Sequence, residues 1–162
     1  MDEIAFTKVS LPYGWLGNMA PYPLLARNKI WKTSEALFQA CRFSDPAVVE
    51  RIRLAPSPMG AKMMAKKNIG LMTTNPRSPD DVDNMRDILK LKLAQHPELL
   101  KLLWETEDRQ IIEDCSARAN VSGLFWGASK ANGVWEGENT LGKLWMEARA
   151  FLRDVYKEMP KR

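Results

Sequence analysis

From residue 33 onward, apolar positions recur at helical spacing, and each run opens on a polar cap. Thr33 or Ser34 begins the first by accepting a free backbone N–H, and Glu35 falls in its first turn, where the helix dipole favours negative charge. Ser44 or Asp45, followed by Pro46, begins a second run, with Val48, Val49, Ile52 and Leu54 on its apolar side. Ser57-Pro58 repeats the signal, with Met59, Met63 and Met64 expected to face inward. That run stops near Asn68-Ile69-Gly70, where the glycine suits a left-handed terminus, and 71–78 read as a loop. Ser78-Pro79-Asp80-Asp81 is the clearest start: cap, proline and acidic first turn, followed by Val82, Met85, Ile88 and Leu89 to about Gln95. Pro97 opens the next run, through Leu99, Leu100, Leu102, Leu103 and Trp104. The last begins near Asn139-Thr140 and carries Leu141, Leu144, Trp145, Ala148, Phe151, Leu152 and Val155 on one face. Lys157 and Lys161-Arg162 suit its negative end.

Extended signals are fewer. Phe6, Val9 and Leu11 predict a short strand, and Leu24 to Trp31 a second, with Asn28-Lys29 at or near a turn. Gln110-Ile111-Ile112-Glu113 reads as another short strand. Residues 114–137 are irregular, with Asn132-Gly133 as a hairpin turn between Leu124-Phe125-Trp126 and Val134-Trp135. The fold class is mainly α with a small β element near the N-terminus and another near 110–135. The length of 162 residues, without repeats or linker, predicts one compact domain over 1–162.

One stretch stands apart, Trp31-Lys32-Thr33-Ser34-Glu35-Ala36-Leu37-Phe38-Gln39-Ala40-Cys41-Arg42-Phe43. At about 100° per residue, Glu35, Gln39 and Arg42 share one arc of roughly 60°, and the apolar residues fill roughly 220°. That exceeds the apolar stripe of a surface helix, so the helix reads as buried. A buried helix leaves a carboxylate, an amide and a guanidinium unpaired only at large cost. The stripe then pairs internally or lines a polar pocket. The alternative is a thin solvated stripe with Glu35 and Arg42 paired across the helix.

Composition narrows the chemistry. A net charge of +4 from scattered basic residues permits an anionic ligand but lacks a clustered nucleic-acid footprint; the densest group is Lys62, Lys66 and Lys67. Cys41 and Cys115 read as two free thiols. A start without a basic and apolar leader, and no apolar run of membrane-spanning length, predict a cytoplasmic protein. The one histidine, His96, precedes Pro97 at a helix start, so Ser-His-Asp, Cys-His and zinc devices have almost nothing to build on. Six tryptophans either anchor loops to the core or stack on a planar ligand.

Several pieces, in order, resemble the NADAR family. They are Gly17-Asn18, the stretch Trp31 to Ala40 with Arg42-Phe43, Ala55-Pro56-Ser57-Pro58 with Ala61-Lys62, and Met85 with Leu89-Lys90-Leu91-Lys92. Leu102-Leu103 with Thr106, Ile111-Ile112-Glu113, Phe125-Trp126-Gly127, and Gly137 to Met146 with Arg149 complete the set. The resemblance covers about 15–152. It implies a mostly helical domain and a pocket for a small ribosyl phosphate or ADP-ribosyl ligand, without an essential metal or other cofactor. It also implies hydrolysis of N-glycosidic bonds, in phosphoribosylamino-pyrimidine intermediates of riboflavin synthesis or in ADP-ribose attached to a nucleobase. ADP-ribosylated nucleic acid is therefore among the expected partners, and a membrane is not. The family usually carries an Asp three residues before its Trp-Gly pair, where this chain has Gly123 in a longer loop. Asp114 and Asn120 are the available substitutes.

Breaking such a bond develops positive charge on the ribose and requires an activated water, and a carboxylate serves both needs. Glu35 is the candidate. Gln39 can fix the ribose or the carboxylate, Arg42 and Lys62 can hold a phosphate, and Trp126 can stack on the base, with Trp31 as a further contact. Asn18 and Asn139 can read the base edges or the sugar, although Asn139 equally serves as the cap of the last helix. Arg149 reads as a partner for a buried acid, and Glu113 is the candidate for that partner or for a second catalytic carboxylate. The competing reading is a catalytically altered module that binds an ADP-ribose-like, NAD-like or ribose-phosphate ligand.

Overall fold

The cap signals translate almost directly into structure. In the computed structural model, which describes residues 2–159, Thr33 caps α1 (Ser34–Ala40), Asp45 caps α2 (Pro46–Arg53) and Ser57 caps α3 (Pro58–Lys67). Each cap side chain accepts from backbone N–H groups of the first turn. Then come α4 (Pro79–Gln95), α5 (Pro97–Trp104), α6 (Val121–Trp126) and α7 (Thr140–Val155). Six strands of three residues each form three two-stranded sheets among the described residues. The fold class is thus mainly α with small β elements.

The described residues form two compact units, 2–17 with 96–159, and 18–95. In the unit 18–95, α1 packs against α2, α3 and α4, so every residue of α1 is buried. A hairpin joins β2 (Leu24–Ala26) to β3 (Lys29–Trp31). The single strand expected over Leu24 to Trp31 is therefore two. Arg27 and Asn28, at φ 55° and 58°, make the tight turn between them. Trp31 is fully buried, and its indole N–H donates to the Ala26 carbonyl at 3.0 Å, closing the hairpin. The Gln95 side chain bonds both backbone groups of Leu25, at 2.8 Å each.

In the other unit, β1 (Ile4–Phe6) pairs in parallel with β4 (Ile111–Glu113), and α7 packs on β4. The expected hairpin turn at Asn132-Gly133 joins β5 (Ser129–Ala131) to β6 (Val134–Glu136). Trp145 is fully buried, donates to the Leu16 carbonyl at 3.0 Å and meets Trp15 edge-on.

Several expectations fail for packing reasons. Val9 and Leu11 lie in exposed turns after β1 rather than in a strand. Ala61 and Ala65 face inward on α3, while Met63 is 48% exposed, because close approach of helices favours small side chains. Leu54, Phe151 and Val155 are exposed ends of their predicted apolar faces. α3 ends at Lys67 with Asn68 as its cap, where the stop was expected, but Gly70 sits in a 3-10 turn without the left-handed φ assigned to it. Leu124-Phe125-Trp126 is helical, because Asn120 accepts from the Gly123 N–H and caps α6. Lys161 and Arg162 lie outside the described residues.

Candidate functional site

The polar stripe of α1 is paired and buried. Gln39 Nε2 donates to Glu35 Oε1 at 2.8 Å, and Arg42 Nη1 donates to Gln39 Oε1 at 3.3 Å. Arg42 Nε and Nη2 donate to the two carboxylate oxygens of Asp81, at 2.9 and 2.8 Å. Arg42 also lies 4.7 Å from the centre of the Phe38 ring. Glu35 and Arg42 are each 8% exposed, Gln39 is 4% and Asp81 0%. The thin solvated stripe with a direct Glu35–Arg42 pair therefore does not form. Gln39 stands between the two charges, and a carboxylate from another helix takes the guanidinium in the bidentate geometry it favours.

Glu35 is poised differently from an ordinary surface acid. Burial pushes its pKa up; the Gln39 bond, then the Lys62 ammonium and Arg42, hold it down, and Asp81 pushes it further up. Its backbone N–H donates to the Asn18 carbonyl at 2.9 Å, which fixes the preceding loop against the start of α1. Glu35 Oε2 accepts no hydrogen bond among the described residues, whereas Oε1 is held by Gln39. Two buried side-chain atoms of the same unit, Asn18 Oδ1 and Ser34 Oγ, also lack a partner. A buried polar atom left unpaired costs about 1–3 kcal/mol. Asn18 holds its place by donating to the Met85 sulfur at 3.2 Å.

The other candidates divide. Lys62 is exposed on α3, and its charge acts on Glu35. Arg42 is committed on three of its nitrogens, which suits orientation of Gln39 better than capture of a phosphate. Trp31 is enclosed by its hairpin and anchors a loop. Trp126 and Asn139 belong to the other unit. Trp126 is 8% exposed and edge-on to Phe125 at 5.0 Å. Asn139 sits at the start of α7 at φ 52° without a side-chain capping bond. Its amide instead donates to the Ile111 carbonyl and accepts from the Glu113 N–H. Arg149 donates to Thr106 Oγ1 and to the Arg109 carbonyl, each at 2.9 Å. Among the described residues, no group of His, Cys, Asp and Glu is arranged to hold a metal, and no helix is long and apolar enough to cross a membrane.

Gly123 is committed to its position. A Cβ there would lie 2.4 Å from the Arg118 carbonyl oxygen. Asn120 caps α6, and Asp114 accepts from the Ser116 N–H, so both acids or amides offered as substitutes serve local turns.

Two residues escape a reading of the sequence. Asp81 looks like one of several acids in a helix first turn, yet it is fully buried. The signal was Arg42, two residues past the end of α1, a helix whose one acid is Glu35. Lys92 is also fully buried, with its ammonium 5.2 Å from the centre of the Tyr22 ring, and burial pushes its pKa down to about 7. Its place seven residues after Met85, on the apolar face of α4, is the trace it left in the sequence.

The chain belongs to the NADAR family: the model of the NADAR domain matches residues 5–153. Among solved structures it is similar to the NMR structure of the E. coli protein YbiA. The two are 30% identical with a TM-score of 0.75, over 100% of this chain and 92% of that one. No curated protein matches the chain.

Proposed function

We propose that this protein hydrolyses the N-glycosidic bond of a phosphorylated ribosyl compound, with Glu35 as the key carboxylate. The observation that carries the reading is the asymmetry of that carboxylate: buried, fixed through one oxygen by Gln39, and without a hydrogen-bond partner on the other. The bond between ribose C1′ and the base nitrogen breaks with its electron pair passing to nitrogen. The carboxylate of Glu35 offsets the charge that develops on the ribose. It then accepts a proton from water as the water oxygen bonds C1′, and the proton passes on to the departing nitrogen. Lys62, exposed and close enough to act on Glu35, holds the substrate phosphate. Asn18 Oδ1 accepts from a ribose hydroxyl or a base edge.

Mass spectrometry of two incubations tests this, each run beside Glu35→Gln. One contains a phosphoribosylamino-pyrimidine, the other DNA bearing ADP-ribosylated guanine. We expect release of ribose phosphate or ADP-ribose by the parent protein, and a loss of at least about 1,000-fold in the variant, since the one carboxylate serves both steps. Full turnover by a folded Glu35→Gln protein would remove Glu35 from the mechanism.

The second reading, a ligand-binding module without turnover, draws on Gly123. The position that carries Asp in the family pattern has no room here for a side chain. Calorimetric binding of ADP-ribose with neither substrate cleaved would favour it.

A further inference from the structure

We propose that Asp81 is a positioning residue for Glu35, acting from α4 through Arg42 and Gln39; the proposal rests on the role given to Glu35 above. Asp81 is tied at four points. Arg42 donates to both of its oxygens, the Arg77 backbone N–H donates to Oδ2 at 2.8 Å, and its own N–H donates to Ser78 Oγ at 3.3 Å. A carboxylate so held fixes the Arg42 guanidinium in plane. With Nε and Nη2 taken by Asp81, Nη1 is turned onto Gln39 Oε1. That bond settles which end of the Gln39 amide faces Glu35: the oxygen is used by Arg42, so the NH2 must point at Glu35 Oε1. The chain therefore sets a direction. Reversing the Gln39 amide would turn an acceptor on a carboxylate and a donor on a guanidinium. Glu35 receives one fixed donor on Oε1 and keeps Oε2 free.

The charges on Glu35 follow the same path. α1 packs on α2, α3, α4 and β3, and the charged groups that act on Glu35 are Lys62 from α3, Arg42 beyond the end of α1, and Asp81 from α4. Lys62 and Arg42 favour its ionised form, and Asp81 opposes it. The two variants should then move Glu35 in opposite senses. Asp81→Asn removes a negative charge and frees Arg42, which favours the ionised carboxylate. Gln39→Leu removes a donor to the ionised form and leaves the Arg42–Asp81 pair in place.

The test is titration of the Glu35 side-chain carboxyl carbon by 13C NMR in the whole protein, with Glu35→Gln identifying the signal, alongside kcat and KM. We expect a lower midpoint in Asp81→Asn and a higher one in Gln39→Leu. In both, kcat should fall about 10- to 100-fold with KM within about threefold, the loss typical of a reacting group displaced by up to about 1 Å. A parental midpoint in folded Asp81→Asn would overturn the proposal. Should that variant fail to fold, a parental midpoint in Gln39→Leu would overturn it instead. Because the titration needs no turnover, it separates the two roles: shifted midpoints with unchanged kcat would overturn the positioning role of Asp81 and leave only the electrostatic coupling, whereas the role of Glu35 itself falls only with full turnover by Glu35→Gln.

Discussion

Glu35 shows how much one residue's meaning depends on its surroundings. In an unfolded chain its carboxyl titrates near 4.5, and in the folded protein burial raises it. The folded state therefore binds the proton more tightly. The stability that this contributes is fully present below pH 4.5 and is lost as pH rises through the folded value. Glu35→Gln keeps an oxygen for the Gln39 donor and removes the buried charge. We expect its melting temperature to equal or exceed that of the parent near pH 7, and the difference to shrink below pH 4.5, as followed by circular dichroism. A variant that is less stable at pH 7 and no better at acid pH would count against a buried, uphill-titrating carboxylate. The proposed reaction, which uses the ionised form, has its acid limb above pH 4.5 for the same reason.

At the scale of elements, the helix caps were legible and the strand pairings were not. Thr33, Asp45, Ser57 and Ser78 act over three residues, so their sequence neighbours suffice. The parallel pairing of β1 with β4 joins residues more than a hundred positions apart, and nothing local announces it. Asn139 and Gly142 belong to that same region. The Asn139 amide completes the edge of β4, and the Gly142 Cα admits the Ile111 carbonyl, which would stand 2.2 Å from a Cβ. Gly142→Ala should therefore destabilise the protein by at least about 1–3 kcal/mol despite the better helix propensity of alanine, by overpacking against backbone. Gly70→Ala, with nothing within 4 Å of the new methyl, should be close to neutral. Urea melts of the two proteins check the contrast; equal stabilities would mean that α7 and β4 separate more easily than the packing indicates.

For the whole molecule, charge bears on the choice of substrate. The net +4 is dispersed, and the three lysines of α3 are its densest group. Contact with duplex DNA through all three would cost about 40-fold in affinity between 50 and 200 mM salt, whereas the phosphate of a small ligand held by Lys62 has no condensed counterions to release and would depend on salt much more weakly. We expect the weaker dependence, measured as KM against salt. A steep one would favour a nucleic-acid substrate.

By itself the sequence determined the mainly helical class, the helix starts, the burial of the first helix and the family, because caps, periodicity and ordered motifs are written in neighbouring residues. It also put Glu35, Gln39 and Arg42 in one narrow arc at helical spacing, although α1 ends at Ala40 and Arg42 follows it in a turn. Only the tertiary structure decided what that arc does. Asp81, thirty-nine residues beyond Arg42, claims the guanidinium, and Gln39 is thereby turned toward Glu35. Tertiary packing likewise enclosed Trp31 in its hairpin and buried Lys92 under Tyr22. Direction along a hydrogen-bond chain and the cost of burying a charge both depend on which groups meet in space, and spacing along a helix does not carry that.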